Sequence, residues 1–297
     1  MHSIRSSSQR ILLTWGPVFA IACADSTSPS QGSLIEQPKD AATNQIAYQN
    51  LGTIVLIKSD GSAGIGLASP GWAPSWSPDG KRLVFSNTQC DTDWTTYIVC
   101  ERGGLVILDV ESGQVSTPAA GFVGQEPSWS PNGDRIAFTR RDTGQLYVMQ
   151  LDGSAAQDLH IEASGSNNPS WSPDGRRIVF QCQSASICTV NADGTGFTMI
   201  GNSENGDARL SPSWSPDGTQ LLFTSYRGGF GKIAITAADG TGQILLADGL
   251  GPAWSTDGMQ IAFSRNNDGL YTMNRDGSNV KRIVAGMTSR PAWRPAR

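Results

Sequence analysis

The heptapeptide PSWSPDG at residues 74–80 recurs along the chain at regular intervals. The further copies are PSWSPNG at 127–133, PSWSPDG at 169–175 and 212–218, PAWSTDG at 252–258, and an incomplete PAWRPAR at 291–297. The tryptophans of successive copies (Trp76, Trp129, Trp171, Trp214, Trp254 and Trp293) are 53, 42, 43, 40 and 39 residues apart. A period of about 40–45 residues that contains only strand signals predicts a β-propeller with one four-stranded blade per repeat.

Each repeat has the same internal order of strands and turns. The Trp strand ends in Ser-Pro-Asp-Gly, whose residues suit a type I turn. An alternating apolar segment follows, as in RIAFT at 135–139, and predicts a strand with one buried face. A third strand then ends in Asp-Gly, as in LYVMQLDG at 146–153, which is a hairpin signal. The fourth strand is short and irregular, as expected for an outer edge.

The two ends of the repeat region complement each other. QIAYQ at 45–49 and TIVLIKSDG at 53–61 correspond to a second and a third strand without a Trp strand before them. PAWRP at the other end is a Trp strand without the rest of its blade. We therefore predict an all-β fold, a six-bladed propeller over residues 45–297, in which strands from both ends close the last blade. This closure would remove the free sheet edges of an open ring.

The first 22 residues have the pattern of an export signal. Arg5 and Arg10 precede the apolar run 11–22, which at twelve residues is too short to span a bilayer but suits a signal peptide. Ala20-Ile21-Ala22-Cys23 resembles a bacterial lipobox, which implies lipidation of Cys23. An ordinary cleaved signal with an incidental cysteine is the alternative. Residues 23–44 are expected to be a disordered tether, because they begin with a run rich in Ser and small residues.

The four remaining cysteines form two pairs that are close in sequence. Cys90 and Cys100 are in one hairpin loop, and Cys182 and Cys188 flank another. In an exported chain such pairs favour disulfides over a metal site. We expect the bonds Cys90–Cys100 and Cys182–Cys188, since crossed pairs would have to join two blades.

Composition and motifs give little support for catalysis or nucleic-acid binding. The chain has 26 acidic and 22 basic residues, whereas a nucleic-acid-binding domain normally has a basic excess. The sequence lacks G-x-S-x-G, H-E-x-x-H and G-x-G-x-x-G, and His160 is the only histidine after the signal. We expect no catalysis and no cofactor. The aspartates of the turns admit a calcium interpretation, but hydrogen bonding within each turn explains them as well.

On one face of the predicted propeller the loops differ in sequence from blade to blade, and this is the expected binding face. It comprises the loops that enter the Trp strands and the hairpins between second and third strands, which surround the mouth of the channel. Charged and aromatic side chains of this kind often dominate protein interfaces. The candidate partner-binding residues are Trp72, Phe122, Glu126, Asn168, Arg209, Arg227 and Arg290.

The repeated PSWSPDG…IVF…NADG pattern resembles the β-propeller repeat of the TolB family, whose propeller is also six-bladed. In that family the channel mouth receives a peptidoglycan-associated lipoprotein, so the resemblance implies an envelope protein or peptide as partner. We expect a monomeric, non-catalytic protein of the cell envelope, anchored to the outer membrane only by lipid at Cys23. The alternative is a propeller-type carbohydrate- or peptide-processing enzyme.

Overall fold

The computed structural model describes residues 44–90, 100–118, 123–161, 165–200, 207–266 and 268–296. The expected signal peptide, Cys23 and nearly all of the tether lie outside these ranges. The described residues form six four-stranded antiparallel sheets, and a short 3₁₀ turn is present at Gln183–Ala185. No helix in these ranges is long and apolar enough to cross a membrane.

The six sheets are the blades of the propeller, numbered here in chain order. Blade 1 contains β1 (Gln45–Asn50), β2 (Thr53–Lys58), β3 (Ile65–Ala68) and the last strand, β24 (Ser289–Trp293). Blade 2 contains β4 (Trp72–Trp76), β5 (Arg82–Cys90), β6 (Cys100–Asp109) and β7 (Val115–Ser116). Blade 3 contains β8 (Gly124–Trp129), β9 (Arg135–Arg140), β10 (Gln145–Gln150) and β11 (Gln157–Asp158).

The other three blades repeat the same order of strands. Blade 4 contains β12 (Asn167–Trp171), β13 (Arg177–Cys182), β14 (Ser186–Asn191) and β15 (Thr198–Ile200). Blade 5 contains β16 (Ala208–Trp214), β17 (Gln220–Arg227), β18 (Phe230–Ala237) and β19 (Ile244–Asp248). Blade 6 contains β20 (Leu250–Trp254), β21 (Gln260–Arg265), β22 (Gly269–Asn274) and β23 (Lys281–Ala285). In every blade the Trp strand is innermost, so the predicted fold class is confirmed.

Strands from both ends of the chain close blade 1, as predicted. β24 pairs antiparallel with β1, and the register places Ile46 opposite Trp293. The backbone amide of Arg294 continues the pairing by donating to the Gln45 carbonyl oxygen at 2.8 Å. β1 is therefore paired on both sides, with β24 and with β2, because the first and last strands complete one sheet.

The repeated tryptophans pack between neighbouring blades. All six indole rings are buried. The Trp76 indole donates to the Ala292 carbonyl oxygen of blade 1 at 3.1 Å. An arginine of an adjacent blade covers the ring in four of the six positions, for example Arg177 at 4.6 Å from the centroid of Trp214. The Trp254 ring is covered by Arg275 of its own blade. The repeat motif thus supplies interblade contacts.

The Ser-Pro-Asp-Gly segments form tight turns on one side of the ring, which we call the turn face. In the first copy the Gly80 amide donates to the Ser77 carbonyl oxygen at 2.9 Å, as a β-turn requires. The Asp79 carboxylate accepts from the Ser77 hydroxyl at 2.6 Å and from the Lys81 amide at 3.0 Å. The opposite side contains the loops that enter the innermost strands and the hairpins between second and third strands. We call it the channel-mouth face.

The cysteine pairs occupy hairpins of blades 4 and 2. Cys182 and Cys188 form a disulfide, as predicted, with a Cα–Cα distance of 5.8 Å. The two residues lie diagonally rather than directly opposite, because the register pairs Cys182 with Ser186 and Phe180 with Cys188. In blade 2 the register places Cys90 opposite Cys100. The bond between those two cysteines remains a prediction.

Candidate functional site: the channel mouth

Every innermost strand is irregular at the same place, directly before the proline of the repeat. The residue at this position has a left-handed backbone, with φ between 50° and 55° in all six copies. Ladder pairing skips this position against the second strand in each of blades 2 to 6, as expected for a bulge. Left-handed φ is costly for residues with a side chain, so its sixfold recurrence indicates a structural demand of the ring. The six residues are Ala73, Glu126, Asn168, Ser211, Gly251 and Arg290.

These six residues form a ring at the channel mouth. All of them line the central cavity of the propeller. A bulge can redirect a side chain away from the strand's normal alternation. Side chains that are more than 40 residues apart in sequence are thereby brought to one level of the channel.

Three side chains of this ring join across the channel. The Arg290 guanidinium donates to Asn168 Oδ1 at 2.6 Å and to Glu126 Oε1 at 2.5 Å. Arg290 belongs to blade 1, Asn168 to the opposite blade 4, and Glu126 to blade 3. The side chains of Arg290 and Glu126 are 34% and 16% exposed. We call this triad the cross-channel bridge.

Glu126 is fixed at its other oxygen by the protein backbone. Its Oε2 accepts from the Asn168 amide at 2.8 Å. At two other blade boundaries the corresponding amide is bound by a hydroxyl of the preceding blade, as when Thr224 Oγ1 accepts from Gly251 at 3.0 Å. The equivalent hydroxyl for Asn168 is that of Thr139, which is buried without a partner among the described residues. The Glu126 carboxylate therefore takes the place of the Thr139 hydroxyl as acceptor for the Asn168 amide. This bond also holds the carboxylate in position to pair with Arg290.

A cavity of about 480 Å³ with a mixed polar and apolar lining is continuous with this ring. Four serines that follow the repeat prolines line this cavity, and alanines replace them in the last two copies. The Ser213 hydroxyl is buried and has no partner among the described residues. Arg290 and Glu126 are the basic and the acidic side chain among the residues lining this channel. The serines are Ser75, Ser128, Ser170 and Ser213.

The remaining predicted binding residues do not join the bridge. Trp72 is an exposed residue at the start of β4, and Arg227 is exposed at a hairpin of blade 5, where it pairs with Asp207 at 3.3 Å. Phe122 lies outside the described residues. Arg209 extends into the cleft between blades and donates to the Ile200 carbonyl oxygen at 3.3 Å. Burial there lowers the pKa of Arg209.

The channel-mouth face also exposes large apolar side chains that the sequence analysis did not select. Leu51 and Phe230 lie in the hairpins of blades 1 and 5, and Met287 lies in the loop that enters β24. The Gly71 amide donates to the Gly52 carbonyl oxygen at 2.8 Å, which connects the turn of Leu51 to the segment before Trp72. Their positions in hairpins and entry loops were visible in the sequence. Their exposure was not, because it depends on how much of each loop the neighbouring blade covers.

The turn aspartates bind within their own turns. The Ser215 hydroxyl is the main cause that lowers the pKa of Asp217, and the Ser172 hydroxyl has the same effect on the pKa of Asp174. In the copy with Asn132, the Ser130 hydroxyl instead donates to Asp134 at 2.9 Å. Within the described ranges, no three His, Cys, Asp or Glu side chains are grouped closely enough to hold a metal ion. His160, the histidine that follows the expected signal peptide, is an exposed residue.

Comparisons with known proteins agree with this architecture. A family model described as the TolB beta propeller domain matches residues 93–297, which is more than half of the chain. TolB from Acinetobacter baumannii has a TM-score of 0.70 at 21% identity, over 85% of this chain and 67% of that chain. A putative TolB from Agrobacterium tumefaciens has a TM-score of 0.65 at 21% identity, over 84% of this chain and 94% of that one.

A more distant solved structure is that of an enzyme. An oligogalacturonate lyase in complex with manganese has a TM-score of 0.55 at 16% identity, over 78% of this chain and 70% of that chain. At this level of identity all three structures agree with the chain in fold alone.

Proposed function

Because this chain belongs to the TolB β-propeller family, we propose that it is a non-catalytic, lipid-anchored module of the cell envelope. Its channel-mouth face binds an envelope protein or peptide. The observation that carries this proposal is the character of that face, which combines exposed apolar side chains with arginines around an open channel. Apolar and arginine side chains together are typical of the residues that dominate protein interfaces.

The position of Asn44, where the expected tether would join the propeller, supports the same role. Asn44 and Gln45 lie at the turn face, next to Arg294 and to the turn that follows Lys58. A flexible tether from Cys23 to Asn44 would have a root-mean-square length of roughly 25 Å. An anchor at Cys23 would therefore approach the propeller from the turn face and leave the channel mouth directed away from the lipid.

Two methionines provide a matched test of the binding face. Met287 on the channel-mouth face is 54% exposed, and Met259 in a turn of the turn face is 63% exposed. We expect Met287→Glu to reduce recovery of crosslinked partners from envelope extracts, and Met259→Glu to leave recovery unchanged. Because both variants add one negative charge at an exposed methionine, equal losses from both would contradict the proposed face.

The anchor and the absence of catalysis are tested separately. Cys23→Ala should move the protein out of the membrane fraction, whereas unchanged fractionation would exclude lipidation at Cys23. The purified propeller should not turn over oligogalacturonate or peptide libraries. Turnover that Glu126→Gln or Arg290→Gln abolishes would establish the enzymatic alternative.

A further inference from the structure

The cross-channel bridge pairs Arg290, the basic side chain among the described residues that line this channel, with Glu126. Arg290 reaches across from blade 1, and its guanidinium donates to two side chains, those of Asn168 and Glu126. Glu126 has a second partner, the Asn168 amide, which it keeps if Arg290 turns away. The two ends of the ion pair are thus held unequally, because the second partner of Glu126 is a backbone amide, whereas that of Arg290 is the Asn168 side chain.

From this asymmetry we propose that the cross-channel bridge is a carboxylate receptor, in which a carboxylate of the bound peptide displaces Glu126 from Arg290. This inference rests on the proposed binding role of the channel-mouth face and names the chemistry recognised at its centre. A guanidinium can bind a carboxylate through two parallel hydrogen bonds. In the bridge, Nη1 of Arg290 donates to Asn168 and Nη2 donates to Glu126 instead.

The surroundings of Arg290 favour an anion of this size. The cavity of about 480 Å³ has room for a side chain or a chain terminus. Ser75 Oγ accepts from the Trp129 amide at 3.0 Å, so its own proton is available to a ligand. No second acidic side chain lines this channel as described, so a displaced Glu126 is the one repulsive group near an incoming carboxylate.

The carboxylate has two sources, the C-terminus of a chain or an acidic side chain. Three blocked tripeptides distinguish them: acetyl-Gly-Gly-Ala with a free carboxylate, acetyl-Gly-Asp-Ala-amide, and the neutral acetyl-Gly-Asn-Ala-amide. Binding is followed by calorimetry and by the ¹⁵N signal of the Arg290 side chain. We expect one or both acidic probes to bind and shift this signal, and the neutral probe not to bind. Equal binding of all three would overturn the inference.

Two substitutions should act in opposite directions. Glu126→Gln keeps an oxygen for the Asn168 amide but removes the competing charge, so carboxylate probes should bind about threefold to tenfold more tightly. Arg290→Gln should weaken binding by about tenfold or more. A bridge with only a structural role would give weaker or unchanged binding in both variants.

The control is Asp207→Asn, which makes the same change of charge on the same face. Asp207 pairs with Arg227 rather than with the bridge, so this variant should bind the probes as the parent does. Should Arg290→Gln fail to fold, Glu126→Gln decides alone, because tighter binding cannot come from a damaged fold. If the Met287 test succeeds while Glu126→Gln does not tighten binding, the proposed function stands and the carboxylate receptor is wrong. If the probes bind in the expected pattern but Met287→Glu recovers as much crosslinked partner as the parent, the carboxylate receptor stands and the proposed protein-binding face is wrong.

Discussion

Arg294 is the residue whose substitution best tests the closure of the ring. It stands where the other repeats have serine, so Arg294→Ser makes the last copy match the others. Its side chain is buried, at 6% exposure for the residue, and burial lowers its pKa. Nε donates to the Gly80 carbonyl oxygen of blade 2 at 2.7 Å, and Nη1 donates to Gln45 Oε1 of β1 at 2.6 Å. Arg294 therefore ties the last strand to the first strand and to the next blade.

The contacts of the Arg294 side chain set the expected loss of stability in Arg294→Ser. Hydrogen bonds to a charged group contribute about 1.5–3 kcal/mol each, and the guanidinium also lies 4.9 Å from the centroid of the Trp76 ring. Two effects reduce this loss in the variant. Water that enters the vacated space can bind the acceptors that Arg294 leaves, and the free-energy cost of burying its charge is removed. We expect Arg294→Ser to lower the free energy of unfolding by about 2–4 kcal/mol. For a propeller of this size that corresponds to a fall in Tm of about 4–8 °C.

Thermal unfolding followed by circular dichroism measures this loss. The matched control is Arg82→Ser, since Arg82 lies 5.0 Å from the Trp129 ring between blades that the chain already connects. Loss of that stacking should cost about 1 kcal/mol. Similarity to the repeat pattern, taken alone, would predict that Arg294→Ser stabilises the protein. A Tm within about 1 °C of the parent, or a loss no larger than that of Arg82→Ser, would refute the closure argument.

Three further predictions concern the ring, the disulfide and acid. Deletion of 291–297 should abolish the cooperative unfolding transition, since blade 1 loses its innermost strand; a parental Tm would exclude the shared blade. Reduction of Cys182–Cys188 should lower stability by about 2–3 kcal/mol at most without unfolding the propeller, because the closed loop is short; peptide mapping under non-reducing conditions identifies the pairs. The folded-state pKa of Asp217 is depressed, so its contribution is present above about pH 4 and is lost as the pH falls further. Asp217→Asn should therefore reduce stability at pH 7 more than at pH 3 in denaturant titrations; an equal effect would contradict this sign.

The sequence by itself determined the number of blades, the order of strands and the closure at blade 1. These features depend on local signals that recur with a fixed period, namely the Ser-Pro-Asp-Gly turns and the alternating strands. The pairing of Cys182 with Cys188 was predictable for the same reason, because both residues belong to one hairpin. Their diagonal placement was not, since it depends on the register that the 3₁₀ turn at Gln183–Ala185 allows.

Only the tertiary structure decided which side chains meet at the channel. The sequence selected Glu126, Asn168 and Arg290 for their position where the chain enters the Trp strands, and also Arg209, which packs between blades instead. The bridge requires left-handed bulges that turn these side chains inward and a closed ring that places blade 1 opposite blade 4. Periodicity records that the repeats are equivalent. The contacts across the channel are made at a repeat position whose residue type differs from copy to copy. These residues come within contact distance only when the ring has closed.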